Sequence, residues 1–117
     1  DVISFLRQKL AELEKMGVTN VIIDPGFGFG KTLEQNYQLL NGLYKFLDLG
    51  QPLLCGISRK SMINKVLNTS SIDSLNGTTI LNTLCVENGA KILRVHDVAE
   101  AMEVVKIYSF ARTQSSQ

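Results

Sequence analysis

Three short stretches of the chain carry side chains whose type and spacing could do chemistry: DPGFGFGKT at 24–32, GISRKS at 56–61 and LRVHD at 93–97. The first follows the apolar run VII at 21–23 and has the outline of a nucleotide-phosphate cradle, a strand entering a glycine-rich turn and then a helix. A P-loop reads GxxxxGK[ST] and wraps its backbone N–H groups around phosphate. Gly30, Lys31 and Thr32 supply the end of that pattern, but Pro25 stands at the opening glycine, with no N–H to donate and a fixed φ. A dinucleotide fingerprint, GxGxxG, is matched by Gly26 and Gly28 and broken by Lys31 in place of the third glycine. Each pattern fails at one essential residue, which moves attention from the glycines to Asp24.

Asp24 ends the apolar run, ahead of a turn in which glycines alternate with Phe27 and Phe29. Glycine lets the backbone lie close to a flat ligand, and a phenyl ring can pack on it. A carboxylate there suits a planar edge with adjacent N–H donors, a bidentate pair worth roughly 1.5–3 kcal/mol as charged hydrogen bonds. The structural alternative is that Asp24 anchors the Asp-Pro-Gly turn.

In GISRKS, Ser58 and Lys60 are two residues apart and share a side if the strand persists, placing a hydroxyl and an ammonium over the strand end. Carbonyl oxygens or anions would suit them. Alternatively Ser58 caps a helix and Arg59 and Lys60 are solvated, although two cations at a helix N-terminus oppose the macrodipole. In LRVHD, Arg94 and His96 alternate with Val95 and project to one side. With the N–H groups of a helix starting at Asp97, they form a candidate phosphate or pyrophosphate site.

The elements that must hold these groups follow from periodicity. Ile3, Leu6, Leu10 and Leu13 mark an amphipathic helix over 1–16 that Gly17 ends. TNVIID (19–24) reads as a short buried strand. A helix from Thr32, with a Thr32/Gln35 capping box, carries Leu39, Leu40, Leu43 and Leu47 on one side. LLCGIS (53–58) is the second strand, followed by a helical piece KSMINKVLN and a polar loop TSSIDS. A helix over 77–88 has Ile80, Leu81, Leu84 and Cys85 as its apolar side; KILRV (91–95) is the third strand. Asp97 and Glu100 form a second capping box for a last helix with Val98, Ala101, Met102 and Val105 on its face, and the tail RTQSSQ is expected to fray. Strands alternating with helices predict a parallel α/β fold with right-handed crossovers. Three strands preceded by an orphan helix read as part of a larger (β/α) structure, such as a barrel of ~250 residues.

Composition narrows the function classes. The 117 residues are 44% hydrophobic and 20% charged, which is ordinary for a folded domain and not for a disordered one. Twelve Lys+Arg against 11 Asp+Glu leave a net charge of +1, too little field to draw nucleic acid or an anionic membrane. No apolar run approaches the ~18 residues of a membrane span. Cys55 and Cys85 sit in apolar surroundings without metal spacing and read as buried free thiols of a reducing, cytoplasmic compartment. A single histidine excludes a multi-histidine metal site. Asp1 lies inside a helical pattern, so the chain is expected to begin within a longer gene product.

DPGFGFGK, GISRKS and RVHD, in this order at successive strand ends, closely resemble the C-terminal part of the dihydropteroate synthase family, enzymes of folate biosynthesis built on a (β/α)8 barrel. The resemblance covers essentially the whole chain. It implies the sixth to eighth strands of the barrel and a transferase that joins 6-hydroxymethyl-7,8-dihydropterin diphosphate to p-aminobenzoate, giving 7,8-dihydropteroate and pyrophosphate. It implies that Asp24, with Gly28, holds the pterin's amino-pyrimidine edge, and that Lys60 contacts the pterin ring beside the p-aminobenzoate site. Arg94 and His96 would grip the diphosphate and, with Lys60, form the catalytic set. Phe29, Ser58 and Arg59 would line the p-aminobenzoate pocket, which sulfonamides occupy in the family. The family also implies Mg2+, ligated by an asparagine of an N-terminal half that this chain lacks, and a homodimer through C-terminal helices. Alone, three strands are expected to leave sheet edges unpaired and to be inactive. A pterin-binding methyltransferase would not be expected to carry SRKS and RVHD together, and a non-catalytic pterin-binding half would retain the same contacts without turnover.

Overall fold

Asp1 opens the first helix, α1 (Val2–Lys15), by accepting the Ser4 N–H on its carboxylate at 2.7 Å. The computed structural model describes residues 1–28, 30–57, 60–68 and 74–116, and of Lys60 the backbone alone. At the other end of α1, Gly17 takes φ 82°, the Val18 N–H reaches the Leu13 carbonyl and the Gly17 N–H that of Glu14. Those two bonds are the Schellman closure expected of a glycine at this place. Ile3, Leu6 and Leu10 pack on the core from a helix with no fully buried residue.

Helix α2 (Leu33–Asn41) starts on a complete capping box. Thr32 Oγ1 accepts the Gln35 N–H at 3.1 Å, and Gln35 Oε1 accepts the Thr32 N–H at 2.9 Å. The expected continuation through Leu47 is corrected by the structure. α2 ends at Gly42 and the chain tightens into a 3₁₀ helix, Leu43–Leu49. At three residues per turn, side chains three apart eclipse, so Leu40, Leu43, Phe46 and Leu49 form the buried stripe. Leu47 falls outside it and is 45% exposed.

Two strands, β1 (Leu54–Cys55) and β2 (Ile92–Leu93), pair in parallel with Leu54 opposite Ile92 and Cys55 opposite Leu93. The segment expected as a buried strand at 19–24 is reduced to one parallel bridge, Ile23 with Leu53. The Ile23 N–H bonds the Pro52 carbonyl at 2.9 Å and the Leu54 N–H bonds the Ile23 carbonyl at 2.8 Å. It is also not buried throughout: Thr19 and Asn20 are exposed and Ile22 is 55% exposed. Among the described residues nothing pairs with its other edge, and without a second ladder the regular strand does not propagate.

The ladder has two unlike faces, because side chains alternate along a strand and parallel neighbours in register share a face. Ile23, Leu53, Cys55 and Ile57 are buried, and Leu93 packs on the same core. The opposite face carries Ile22, Asp24 and Arg94, which are exposed, Leu54 and Ile92, which are half-buried, and Gly56, which is buried.

Helix α3 (Lys60–Leu67) buries Met62 and Ile63. Helix α4 (Leu75–Glu87) buries Thr78, Leu81, Asn82 and Cys85, whereas Ile80 and Leu84, expected on the apolar side, are exposed. Gly77 makes a close approach to α3. A Cβ there would collide with Ile63, so the backbone of α4 can lie directly on that side chain. Cys55 and Cys85 meet in the core as free thiols, and their mutual hydrogen bond together with burial pushes the Cys85 thiol up. Helix α5 (Val98–Thr113) packs on α4 through Ala101 and Val104. Val98, Met102 and Val105, expected on the buried face, are exposed. Asp97 occupies the N-cap position but makes no capping bond, so the expected Asp97/Glu100 capping box is absent; its ψ of 84° is not the extended geometry of a side-chain cap. The first two residues of the tail are helical, held by Arg112, which meets Glu87 at 2.7 Å and lies 5.1 Å from the Tyr108 ring centre. Among the described residues no helix is long and apolar enough to cross a membrane.

Candidate functional site

The glycine turn is shaped by its own hydrogen bonds. Gly26, Gly28 and Gly30 have φ of 81°, 88° and 63°, a region that side chains disfavour. Asp24 Oδ1 accepts the Gly26 N–H at 2.9 Å, so the turn-anchor role is real. The Gly28 N–H goes to Asn36 Oδ1 at 2.8 Å, and Asn36 Nδ2 donates to the Thr32 carbonyl at 3.2 Å. Lys31 Nζ folds back onto the Gly26 carbonyl at 2.7 Å. Two of the N–H groups a phosphate loop would present are thus consumed internally, and its lysine is turned inward. Phe27 is buried in the core, so of the two rings only Phe29, which lies outside the described residues, remains as a candidate ligand surface.

Asn36 and Lys31 are structural supports of the glycine turn that sequence reasoning missed. The available signal was an asparagine among Leu33, Tyr37 and Leu40 on the inner side of α2, where a polar group needs a specific partner. Tyr37 belongs to the same support: its hydroxyl donates to the Met62 carbonyl at 2.9 Å, tying α2 to the first turns of α3. Burial raises the Tyr37 pKa above the ordinary phenol value.

Across the sheet, the Arg94 N–H bonds the Cys55 carbonyl at 2.9 Å, fixing the arginine one residue beyond the last registered pair. Its side chain runs over Gly56 to the next segment, and Nη1 lies 3.3 Å from Asp24 Oδ2. Sequence reasoning assigned these residues to different parts of a ligand; the structure brings them together directly. The pair is open to water, with side chains 56% and 37% exposed, so it contributes at most about 1 kcal/mol and can be opened at little cost.

His96 is exposed two residues on, past the half-buried Val95; the strand expected over 91–95 is regular only at Ile92–Leu93, so strand alternation does not fix the side on which His96 lies, and among the described residues it has no hydrogen-bond or ion-pair partner. Ser58 and Arg59 lie outside the described residues, as does the Lys60 side chain. The strand alternation invoked for Ser58 and Lys60 does not extend to Lys60, because pairing ends at Cys55 and Lys60 is the first residue of α3. Gly28 is exposed, with its N–H committed to Asn36.

Among the described residues no three His, Cys, Asp or Glu side chains converge to hold a metal ion, and both Asp24 oxygens already have partners. A cavity of about 680 Å³ opens between α4 and α5, lined by Thr79, Thr83, Glu103, Ile107 and Tyr108 among others and by none of the strand-end groups. The structure thus brings one carboxylate and one guanidinium, Asp24 and Arg94, together at the ends of neighbouring segments, with His96 exposed two residues beyond the arginine.

Comparison with known proteins places the chain in a family. Residues 1–96 match the family described as pterin binding enzyme. The dihydropteroate synthase of Haemophilus influenzae is 44% identical over 110 residues, covering 92% of this chain and 40% of that protein. The crystal structure of 7,8-dihydropteroate synthase from Vibrio fischeri superposes with a TM-score of 0.87 at 42% identity, over 99% of this chain and 44% of the other. Dihydropteroate synthase from Xanthomonas albilineans in complex with 7,8-dihydropteroate gives 0.88 at 33% identity, over 97% of this chain and 44% of the other. The chain thus spans about 40% of the length of such relatives. With a family match over most of its length and likeness to solved structures at these identities, the chain belongs to the pterin binding enzyme family.

Proposed function

We propose that this chain is the C-terminal portion, strands six to eight, of a (β/α)8 dihydropteroate synthase that condenses 6-hydroxymethyl-7,8-dihydropterin diphosphate with p-aminobenzoate. The observation that carries the reading is the placement of Asp24 and Arg94, 3.3 Å apart at the ends of neighbouring segments, in a chain similar to dihydropteroate synthases over 92% of its length. A carboxylate beside a guanidinium matches a ligand with an N–H-rich planar edge at one end and a diphosphate at the other.

In this reading the Asp24 carboxylate accepts from the pterin's amino-pyrimidine edge, with Gly28 beside it. Arg94 and His96 stabilise the charge that grows on the diphosphate as the methylene C–O bond breaks. The neutral arylamine nitrogen of p-aminobenzoate forms the new N–C bond, its surplus proton passes to solvent, and pyrophosphate leaves. Lys60 lies over the pterin, and Phe29, Ser58 and Arg59 border the p-aminobenzoate. The Mg2+ that the resemblance implies would be held by the diphosphate and an asparagine outside these residues, and no step is assigned to it here. A homodimer through α5 would cover its exposed Met102, Val105 and Phe110.

The test is formation of 7,8-dihydropteroate from the two substrates by the full-length parent protein. Product formation supports the reading; tight pterin binding without product would instead make it a non-catalytic pterin-binding protein.

A further inference from the structure

We propose that Gly56 is a positioning residue: the absence of a side chain there sets where the Arg94 guanidinium lies. The inference rests on the reading above, in which Arg94 contacts the diphosphate, and adds a residue to it.

The register makes the juxtaposition unavoidable. Cys55 pairs with Leu93, so Gly56 and Arg94 are the next neighbours along two parallel segments and face the same way. The Arg94 N–H to Cys55 carbonyl bond holds that neighbour relation past the end of the regular ladder. An ideal Cβ built on Gly56 would stand 2.6 Å from Arg94 Cζ and 2.7 Å from Nε, and closer still to Nη2. The three nearest atoms all belong to this guanidinium. The guanidinium therefore fills the space that a side chain at Gly56 would occupy, with Nη2 nearest that point and Nη1 turned to Asp24.

Backbone strain does not explain this glycine. Its φ is not in the left-handed region, whereas Gly17, Gly26, Gly28, Gly30, Gly50 and Gly89 all are. Space is what it provides. The atoms in conflict with a methyl group are the far end of a long, half-exposed side chain that can swing aside without disturbing the core. Gly56→Ala is thus expected to keep the fold and to displace one functional group, pushing the guanidinium off the place over Gly56 from which it reaches either Asp24 or the diphosphate. Geometric errors of this size at a charged contact weaken binding and catalysis without any loss of the residues that do the work.

A double-mutant cycle on the full-length protein tests this, with calorimetric affinity for dihydropterin diphosphate and the KM for each substrate as readouts. Arg94→Ala should weaken dihydropterin diphosphate binding by about tenfold or more, and Gly56→Ala by about threefold to tenfold. The KM for p-aminobenzoate should change little in Gly56→Ala. In the Arg94→Ala background, Gly56→Ala should have no further effect. Additive losses, or a Gly56→Ala variant that binds like wild type, overturn the proposal. Should Gly56→Ala weaken binding while Arg94→Ala does not, both this inference and the diphosphate role of Arg94 fail. Should Gly56→Ala alone not fold, the double variant must recover folding, since its methyl then has room; a double variant that also fails to fold overturns the proposal.

Discussion

Arg94 Nη1 lies 3.3 Å from Asp24 Oδ2, joining two residues seventy positions apart in the chain. The pair satisfies both charges at the water-exposed ends of neighbouring segments. A ligand with N–H donors at one end and phosphates at the other can replace this one weak contact by two stronger ones. Asp24 and Arg94 are accordingly competitors for each other as well as partners for a ligand, and that relation has consequences beyond loss of binding.

Removing either charge should have opposite effects on the two halves of the ligand. Asp24→Ala in the full-length protein is expected to weaken dihydropterin diphosphate binding by a factor on the order of ten to a hundred. The same substitution should leave inorganic pyrophosphate binding unchanged or slightly tighter, because Arg94 is released. Calorimetry with each ligand separates the two; unchanged pterin affinity would refute the Asp24 assignment.

Asn36 holds the glycine turn from behind, and its two ends can be tested apart. Asn36→Ala strands the Gly28 N–H, while the Thr32 carbonyl keeps the backbone N–H of residue 36, and should lower stability by about 1–3 kcal/mol. Asn36→Asp keeps an acceptor for Gly28 and should cost less. Denaturant midpoints of the two variants give the order; equal losses would mean that Gly28 does not depend on this acceptor.

Tyr37 should titrate above the ordinary phenol value. Burial raises its folded pKa above 10.0, so the folded state retains a proton that the unfolded chain releases. Its contribution is therefore fully present below pH 10 and is lost as pH rises through the folded value. Absorbance titration should show a late phenol step, and Tyr37→Phe should remove it. A late step that survives in Tyr37→Phe would assign it elsewhere.

What could be read from the chain alone was local. The Schellman end of α1 and the Thr32/Gln35 capping box need only neighbours in sequence, and both formed as expected. The order of segments followed from alternating apolar runs. The switch from α2 to the 3₁₀ helix was less visible, since Leu40 and Leu43 fit either period and only the burial of Phe46 and Leu49 decides. The inner faces of α4 and α5 were misjudged because both helices are apolar on more than one side, and the neighbours choose which side is covered. The Asp97/Glu100 spacing has the form of a capping box without the backbone geometry to make it. For the site, residue types and their order were legible, but the Arg94–Asp24 contact was not. It depends on the register between β1 and β2 and on a glycine whose role is to leave space, neither of which is written in any one motif.

The most direct test is a crystal structure of the full-length protein with dihydropterin diphosphate bound. The expected result is an opened Arg94–Asp24 pair, with the pterin's amino-pyrimidine edge on Asp24 and the diphosphate on Arg94 and His96. A bound ligand that leaves the pair closed at 3.3 Å, or that sits away from these residues, would contradict the account.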